Sequence, residues 1–420
     1  MLHNHLFYVP LQALKNIKIG VFISLVNILI QGVSVLVQNI IASNLGIVKF
    51  GFFGILQSDY TIFCALADFG MATLILAFFG KRATQGRLFT NVLQLRLSMT
   101  AVAALAMVLF ACIVRRDSPM FYGELVLALG LLFQHAFFDW YFICGNFWKK
   151  LLISKVLHTI SYTTVMGVAL WYFKLDSIPA IAGAMVLAAI PAFGFGVGQA
   201  FNTKVFHIGR HTKQFFKLMF KSAGPYAIAS LASFAYLPVG LYTIASFANE
   251  TFLGAYNFAH KLIILASGLM VHFISSSLIS LHQTDSKILH LRDQITFTAF
   301  IAVACSPFWL FPEYTLKIIF FAAPWTDDVL QTSCFCLRIL SLSLILQATR
   351  MGMISTMLKE KRTWLYGIMI SLGGLFNIVV CLVGGNFLDS RYIPVLTLTG
   401  DLLLSLQLAV YFFKNRRIRW

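Results

Sequence analysis

The sequence predicts an all-α membrane protein of about twelve transmembrane helices, in two six-helix lobes related by a pseudo-two-fold axis along the membrane normal. Three observations predict it. Of the 420 residues, 59% are hydrophobic and 11% are charged, against about 25% charged in an ordinary soluble domain. Apolar runs of spanning length recur from one end to the other. Lys and Arg concentrate in alternate connections between those runs.

A spanning helix needs about 20 mostly apolar residues. Runs of that kind lie at 17–41, 50–79, 95–114, 120–144, 151–173 and 178–200, then at 222–247, 251–280, 294–311, 329–357, 364–386 and 392–413. The first is long, and Met1–Gly20 lacks a small-residue cleavage site, so it reads as a retained helix. The longer runs exceed a bilayer's thickness and are expected to tilt. Pro191, Pro225, Pro238 and Pro307 mark kinks. The longest connections, at about 201–221 and 312–328, leave no room for a soluble domain.

Orientation follows from the basic residues. With the N-terminus inside, the inner segments hold Lys15, Lys18, Lys81, Arg82, Arg87, Lys149, Lys150, Lys155, Lys204, Arg210, Lys213, Lys217 and Lys221. Lys287, Arg292, Lys359, Lys361, Arg362, Lys414, Arg416, Arg417 and Arg419 follow on the same side. The outer segments hold only Lys49, Arg115, Arg116, Lys174, Lys317 and Arg391. Both termini are therefore expected on the cytoplasmic side. The net charge of +17 is then a topology signal, and no nucleic-acid-binding motif accompanies it.

Segment 201–221 mixes Lys204, Arg210, Lys213, Lys217 and Lys221 with Phe206, Phe215, Phe216 and Phe220, as a helix on the inner membrane surface would. It divides the chain into an N-terminal lobe (1–200) and a C-terminal lobe (222–420). Ile41-Ala42-Ser43 followed by Gly51 recurs as Ile244-Ala245-Ser246 followed by Gly254, at one offset of 203 residues. Both copies fall at the turn after the first helix of a half, and parallel halves of six helices imply an axis along the membrane normal.

Charges inside the runs are the candidate functional groups, because a charge at bilayer depth costs at least about 2.5–3.5 kcal/mol. Lys261, Arg338 and Arg350 either line a polar cavity or pair with a neighbouring helix. Arg96, near a helix end, is expected to snorkel. The acids are Asp59, Asp68, Asp139 and Asp401. Asp59 and Asp68, nine residues apart, point to opposite sides of a straight helix. His135 and Asp139, at i,i+4, share a face; such a pair either relays protons or satisfies itself as a buried hydrogen bond. Several motifs lack their context. Asp68-Phe69-Gly70 has no accompanying kinase loops. Gly194, Gly196 and Gly198 have no βαβ unit and suit close helix packing. The seven cysteines show neither CxxC nor zinc spacing and read as buried thiols. Asn249-Glu250-Thr251 matches a glycosylation sequon by chance. There is no Walker motif, and no metal or organic cofactor is expected.

One stretch resembles a known family. Leu14-Lys15-Asn16, then Asn27, Gln31 and Gly32, then Ala42-Ser43-Asn44-Leu45-Gly46, Phe50-Gly51-Phe52-Phe53-Gly54, Gln57 and Ala67-Asp68-Phe69-Gly70-Met71 resemble the opening of Wzx-type O-antigen and polysaccharide flippases. These belong to the multidrug/oligosaccharidyl-lipid/polysaccharide exporter superfamily. The motif covers about the first 90 residues. The resemblance implies a transporter of the bacterial inner membrane, not an enzyme, that moves an undecaprenyl-diphosphate-linked oligosaccharide to the periplasmic leaflet by alternating access. Its partners would be the lipid-linked oligosaccharide, bilayer lipids, and a polysaccharide polymerase with its chain-length regulator. Lys261 and Arg338, with Arg350, would hold the diphosphate. Asp59 is the first candidate to carry a coupling proton or sodium ion, with Asp68, His135 and Asp139 behind it. Tyr60, Tyr141, Tyr236 and Tyr256 are candidate sugar contacts. A drug antiporter of the same superfamily, a membrane-embedded polymerase or ligase, and a non-transporting scaffold are the other readings. A drug antiporter would favour acids in its cavity, and a polymerase would bring a large outer loop.

Overall fold

The computed structural model describes residues 11–71, 75, 86–145, 147–202, 213–236, 238–281, 289–359, 362–414 and 418–419. The first expected pair of spans forms one continuous element, α1 (Leu11–Asp68), bent at Gly46, whose φ of 71° and ψ of 172° lie outside helical values. A positive φ favours glycine, so the bend is written into the Ser43-Asn44-Leu45-Gly46 motif. The far arm stops where Phe69 and Gly70 also take positive φ, 47° and 65°. An added Cβ on Gly70 would stand 2.6 Å from the backbone of Ala227. Asp68-Phe69-Gly70 thus ends a helix and brings two backbones together; the run expected at 50–79 breaks there, and residues 76–79 lie outside the described ones.

Next come α2 (Gly86–Val114) and α3 (Phe121–Gly130), then two 3-10 turns at Leu131–Phe133 and His135–Phe138, and α4 (Asp139–Cys144). Helix α5 (Trp148–Gly167) ends in a π turn, Val168–Tyr172, and α6 (Ile178–Asn202) contains Pro191. Of the expected surface linker at 201–221, residues 203–212 lie outside the described residues, and Lys213–Lys221 is the opening of a long helix, α7 (Lys213–Tyr236). After a break at Pro238 come α8 (Val239–Phe247) and α9 (Glu250–Leu281). Asn249 of the apparent sequon accepts a hydrogen bond from the Phe252 amide at 2.7 Å, so it caps α9.

The expected run 294–311 is split at Cys305 into α10 (Leu291–Ala304) and α11 (Ser306–Leu310), with Pro307 in the first turn of α11. The connection at 312–328 carries a short helix, α12 (Pro312–Ile319). The last elements are α13 (Asp327–Lys359), α14 (Thr363–Phe387) and α15 (Ile393–Lys414). Leu289–His290 and Ile418–Arg419 form a two-residue parallel pairing. Among the described residues, eight helices are long and apolar enough to cross a membrane, the first of them, 29–68, counting once although Gly46 divides it. The basic residues Lys81, Arg82, Lys204, Arg210, Lys287, Lys361, Arg416 and Arg417 lie outside the described residues.

The helices gather into two lobes. In the first, α1 packs on α2, α3 on α6, and α5 on α6; in the second, α9 packs on α13, α7 on α14, and α14 on α15. The seam between them is α1 against α9. The outer faces are apolar: Val102, Leu105, Leu109 and Ile113 form an exposed stripe on α2, and Leu372, Leu375, Phe376 and Val379 another on α14. Such surfaces would drive association in water and are stable against lipid.

Candidate functional site

The seam opens into a cavity of about 430 Å³ between the two arms of α1 and α9. Helical spacing decides what it holds. On α9, Asn257, Lys261 and Gly268 recur on the face turned to α1. Asn257 donates to the Phe50 carbonyl at 2.7 Å, Lys261 Nζ donates to the Gln57 side chain, and Gly268 lies close to Gln31. On α1, Gln31, Ser34 and Gln38 of the near arm face Gln57, Ser58 and Thr61 of the far arm. Lys261 is the one Lys, Arg, Asp or Glu among the described residues lining this space, and it is half-buried. A cation among amides and hydroxyls, with Tyr60 and His260 alongside, can bind an anionic group while hydrogen-bonding neutral polar ones.

Arg350 lines a second cavity of about 380 Å³ bounded by α9, α13, α14 and α15, which shares His260, Ile264 and Gly268 with the first. Its guanidinium is committed: Nη2 lies 2.5 Å from Asp401 Oδ1, and Nη1 donates to the Asp401 carbonyl at 3.3 Å. Ser343 donates to the other Asp401 oxygen. Arg338 joins neither cavity. It is exposed on α13 with Nε donating to the Trp309 carbonyl at 3.3 Å. The expectation that Lys261 and Arg338 grip one diphosphate is therefore corrected: Leu337 and Leu340 are buried beside it while Arg338 takes the outward side of its helix.

The acids are equally divided. Asp68 pairs with Arg96 at 2.9 Å. Both line a third cavity of about 340 Å³ with Asp139, Gln134 and Thr61, and Thr61 also lines the first. Arg96 does not snorkel; it is buried, with its guanidinium 5.2 Å from the Phe137 ring centre. The single α-helical face assumed for His135 and Asp139 is interrupted, because His135–Phe138 is a 3-10 turn and the α-helix restarts at Asp139. The His135 side chain lies outside the described ones.

Asp59, like Asp68, meets an arginine of α2 or its end, although the nine-residue spacing put the two acids on opposite sides of a straight helix. Asp59 is buried against Arg115, whose Nη2 lies 3.3 Å away, and it accepts a 2.6 Å hydrogen bond from Tyr242 of α8. Arg115 also reaches Glu124, with Nε 3.5 Å from Oε1. The sequence reading placed Arg115 in an outer connection and passed over Glu124, an acid inside the apolar run 120–144. That run was the available signal. Gln57 and Tyr242 were invisible as site residues, because a lone amide or phenol in an apolar run says nothing of its direction. Among the proposed sugar contacts, Tyr60 lines the first cavity and Tyr256 the second, Tyr141 is buried in an aromatic cluster with Phe89 and Trp140, and the Tyr236 side chain lies outside the described ones.

No curated protein matches the chain. Among solved structures, one described as an inward-facing conformation of a multidrug resistance MATE family transporter of the MOP superfamily superposes with a TM-score of 0.72 at 12% identity, covering 92% of this chain and 94% of that one. A second, lipid II flippase MurJ in an inward closed conformation, gives 0.72 at 14% identity, covering 96% and 88%. A third, a MOP superfamily transporter from Pyrococcus furiosus described as having a binding pocket of reverse polarity, gives 0.59 at 12% identity, covering 95% and 96%. At these identities the likeness is one of fold. The family model for polysaccharide biosynthesis proteins matches residues 17–279, a stretch that includes both arms of α1, the seam and Lys261. The chain belongs to the polysaccharide biosynthesis protein family, built on the two-lobed fold of the MOP superfamily transporters.

Proposed function

We propose that this protein is a flippase for an undecaprenyl-diphosphate-linked oligosaccharide, the repeat unit of O-antigen or a related surface polysaccharide. It would carry the substrate from the cytoplasmic to the periplasmic leaflet of a bacterial inner membrane, with both termini cytoplasmic. The observation that carries this reading is Lys261: among the described residues it is the one Lys or Arg lining a seam cavity whose other polar side chains are amides, hydroxyls, Tyr60 and His260, set among apolar ones such as Met185, Leu265 and Phe320. Lys261 would meet the diphosphate. Gln31, Gln38 and Gln57 would hydrogen-bond sugar hydroxyls, and the polyprenyl tail would stay in lipid. Residues 1–200 and 222–420 would rock about the α1–α9 seam to expose the cavity on alternate sides. The supporting likeness is to a structure described as a lipid II flippase.

A small-molecule antiporter is favoured less. A cationic drug needs a carboxylate, and no Asp or Glu is found among the described residues lining the first cavity. Arg350 is set aside as a diphosphate ligand because Asp401 already neutralises it. The test is a deletion strain in which lipid-linked repeats accumulate on the cytoplasmic face. The wild-type gene should restore surface polysaccharide, and Lys261→Ala should fail to do so while reaching the membrane at normal level. Full restoration by Lys261→Ala would remove the diphosphate site.

A further inference from the structure

Where α1, α2, α3 and α8 meet, beside the seam, Asp59, Arg115, Glu124 and Tyr242 form a cluster outside all three cavities. Asp59 is 3% exposed and Glu124 is 0% exposed. Their carboxyl groups adjoin, and the groups facing them from the neighbouring elements are Arg115 at the end of α2 and Tyr242 of α8. Tyr242 is spent on Asp59 at 2.6 Å. Arg115 divides itself between the two acids and leans on the Phe110 ring at 5.5 Å. Neither Glu124 oxygen finds a hydrogen-bond donor of ordinary geometry among the described residues.

Two adjoining carboxyl groups are therefore served by one guanidinium and one phenol. The charges agree: two carboxylates against one guanidinium leave one uncompensated negative charge in a buried place, which is costly. Adjoining carboxyls cannot both ionise cheaply, and one bound proton cures both defects. We propose that Asp59 and Glu124 bind one proton between them, and that this proton holds α1, α3 and α8 together by keeping their buried meeting point neutral. The proton comes from water and returns to water. With it the cluster is neutral; without it the cluster carries one negative charge. The uncompensated charge then draws water into the cluster, and the helices that meet there, α8 among them, part. As pH rises the proton is lost and the cluster opens; as pH falls it closes. This supplies a coupling ion to the flippase reading on which its transport meaning rests, yet proton binding and closure can be read with no substrate present.

The experiment uses the full chain in phospholipid vesicles. Infrared difference spectra should show a protonated carboxyl band at neutral pH that fades as the medium is made alkaline, and both Glu124→Gln and Asp59→Asn should remove it. Spin labels on Arg116→Cys and Ser246→Cys, at exposed positions flanking the cluster and in a background freed of reactive cysteines, should report a long-distance population that grows with pH. Glu124→Gln, which keeps a neutral group in place, should hold the short distance at every pH. A Glu124→Gln spectrum that retains the whole band, or wild-type distances indifferent to pH, would overturn the proposal. Both readouts on wild type stand if a variant fails to insert. A protein that binds and releases this proton but moves no lipid-linked sugar would sink the flippase reading alone.

Discussion

Gly51 and Gly254, the equivalent glycines of the internal repeat, touch each other across the seam: a Cβ built on Gly51 would lie 2.8 Å from the Gly254 amide nitrogen, and one on Gly254 would strike the Ile47 carbonyl. The repeat is thus a contact as well as a symmetry. Each half supplies the smooth surface the other needs, and Asn257, the counterpart of Gly54, fills the adjoining space and bonds the Phe50 carbonyl. Close approach of this kind is how helices associate where lipid offers no hydrophobic drive.

Gly254→Ala should therefore weaken this closure. Backbone on both sides leaves nothing to move aside, so a cost of about 1–3 kcal/mol is expected, as for overpacked cores. Gly183→Ala, in α6 with no atom within 4 Å of the added methyl, is the control and should be neutral or stabilising by up to about 1 kcal/mol. Thermal unfolding in detergent measures both, and equal effects would show that the glycine contact does not hold the seam.

Lys261 and Gln57 form the next pair to separate. Lys261→Arg keeps the charge and should retain part of the flipping activity; Lys261→Ala should abolish it. Gln57→Ala removes only the side-chain partner of Lys261 and should weaken transport by several-fold at most, in line with about 1 kcal/mol for a hydrogen bond. Surface polysaccharide per unit of membrane-inserted protein is the readout. Equal loss in Gln57→Ala and Lys261→Ala would mean that the lysine acts through packing and not through charge.

How much of this was legible in the sequence divides by length scale. Helices and their order follow from apolar runs, and the Gly46 bend falls in the turn expected between the first two runs. The pairing at the seam was foreshadowed by the Gly51/Gly254 repeat. Direction around a helix was not legible. Arg338 and Arg350 sit twelve residues apart on α13, yet one is exposed and the other is buried on Asp401. Nothing in an apolar run tells which neighbour a charge will meet. Arg115 shows the same limit: counted among outer-loop cations, it folds back to Asp59 and Glu124 because its side chain is long enough to reach from the end of its helix.

Arg338 gives a prediction opposite to its promise in the sequence. With its side chain on an exposed face, bonded among the described residues to the Trp309 carbonyl, it should be replaceable. Arg338→Gln should support normal surface polysaccharide and change stability by no more than about 0.5 kcal/mol, the range of ordinary surface substitutions. Loss of transport with normal insertion would return Arg338 to the substrate path.

Arg350 and Asp401 call for a paired test, since a buried ion pair is costly to break and inexpensive to replace. Arg350→Leu leaves Asp401, 2% exposed, with an unmatched charge among Ser343 and Gln347, and should destabilise the protein by about 3–5 kcal/mol. Asp401→Leu should cost a similar amount by stranding the guanidinium. Joining the two substitutions removes both charges and should recover most of the loss, because neither partner then needs the other. A double-mutant cycle on thermal unfolding gives the coupling. If the double variant is as unstable as the two losses added together, the pair is not coupled, and Arg350 is held by the Asp401 carbonyl and its packing instead. The same four proteins also separate stability from transport. A double variant that regains stability and flips lipid-linked sugar confines Arg350 to structure, whereas one that is stable but inactive places the second cavity on the substrate path.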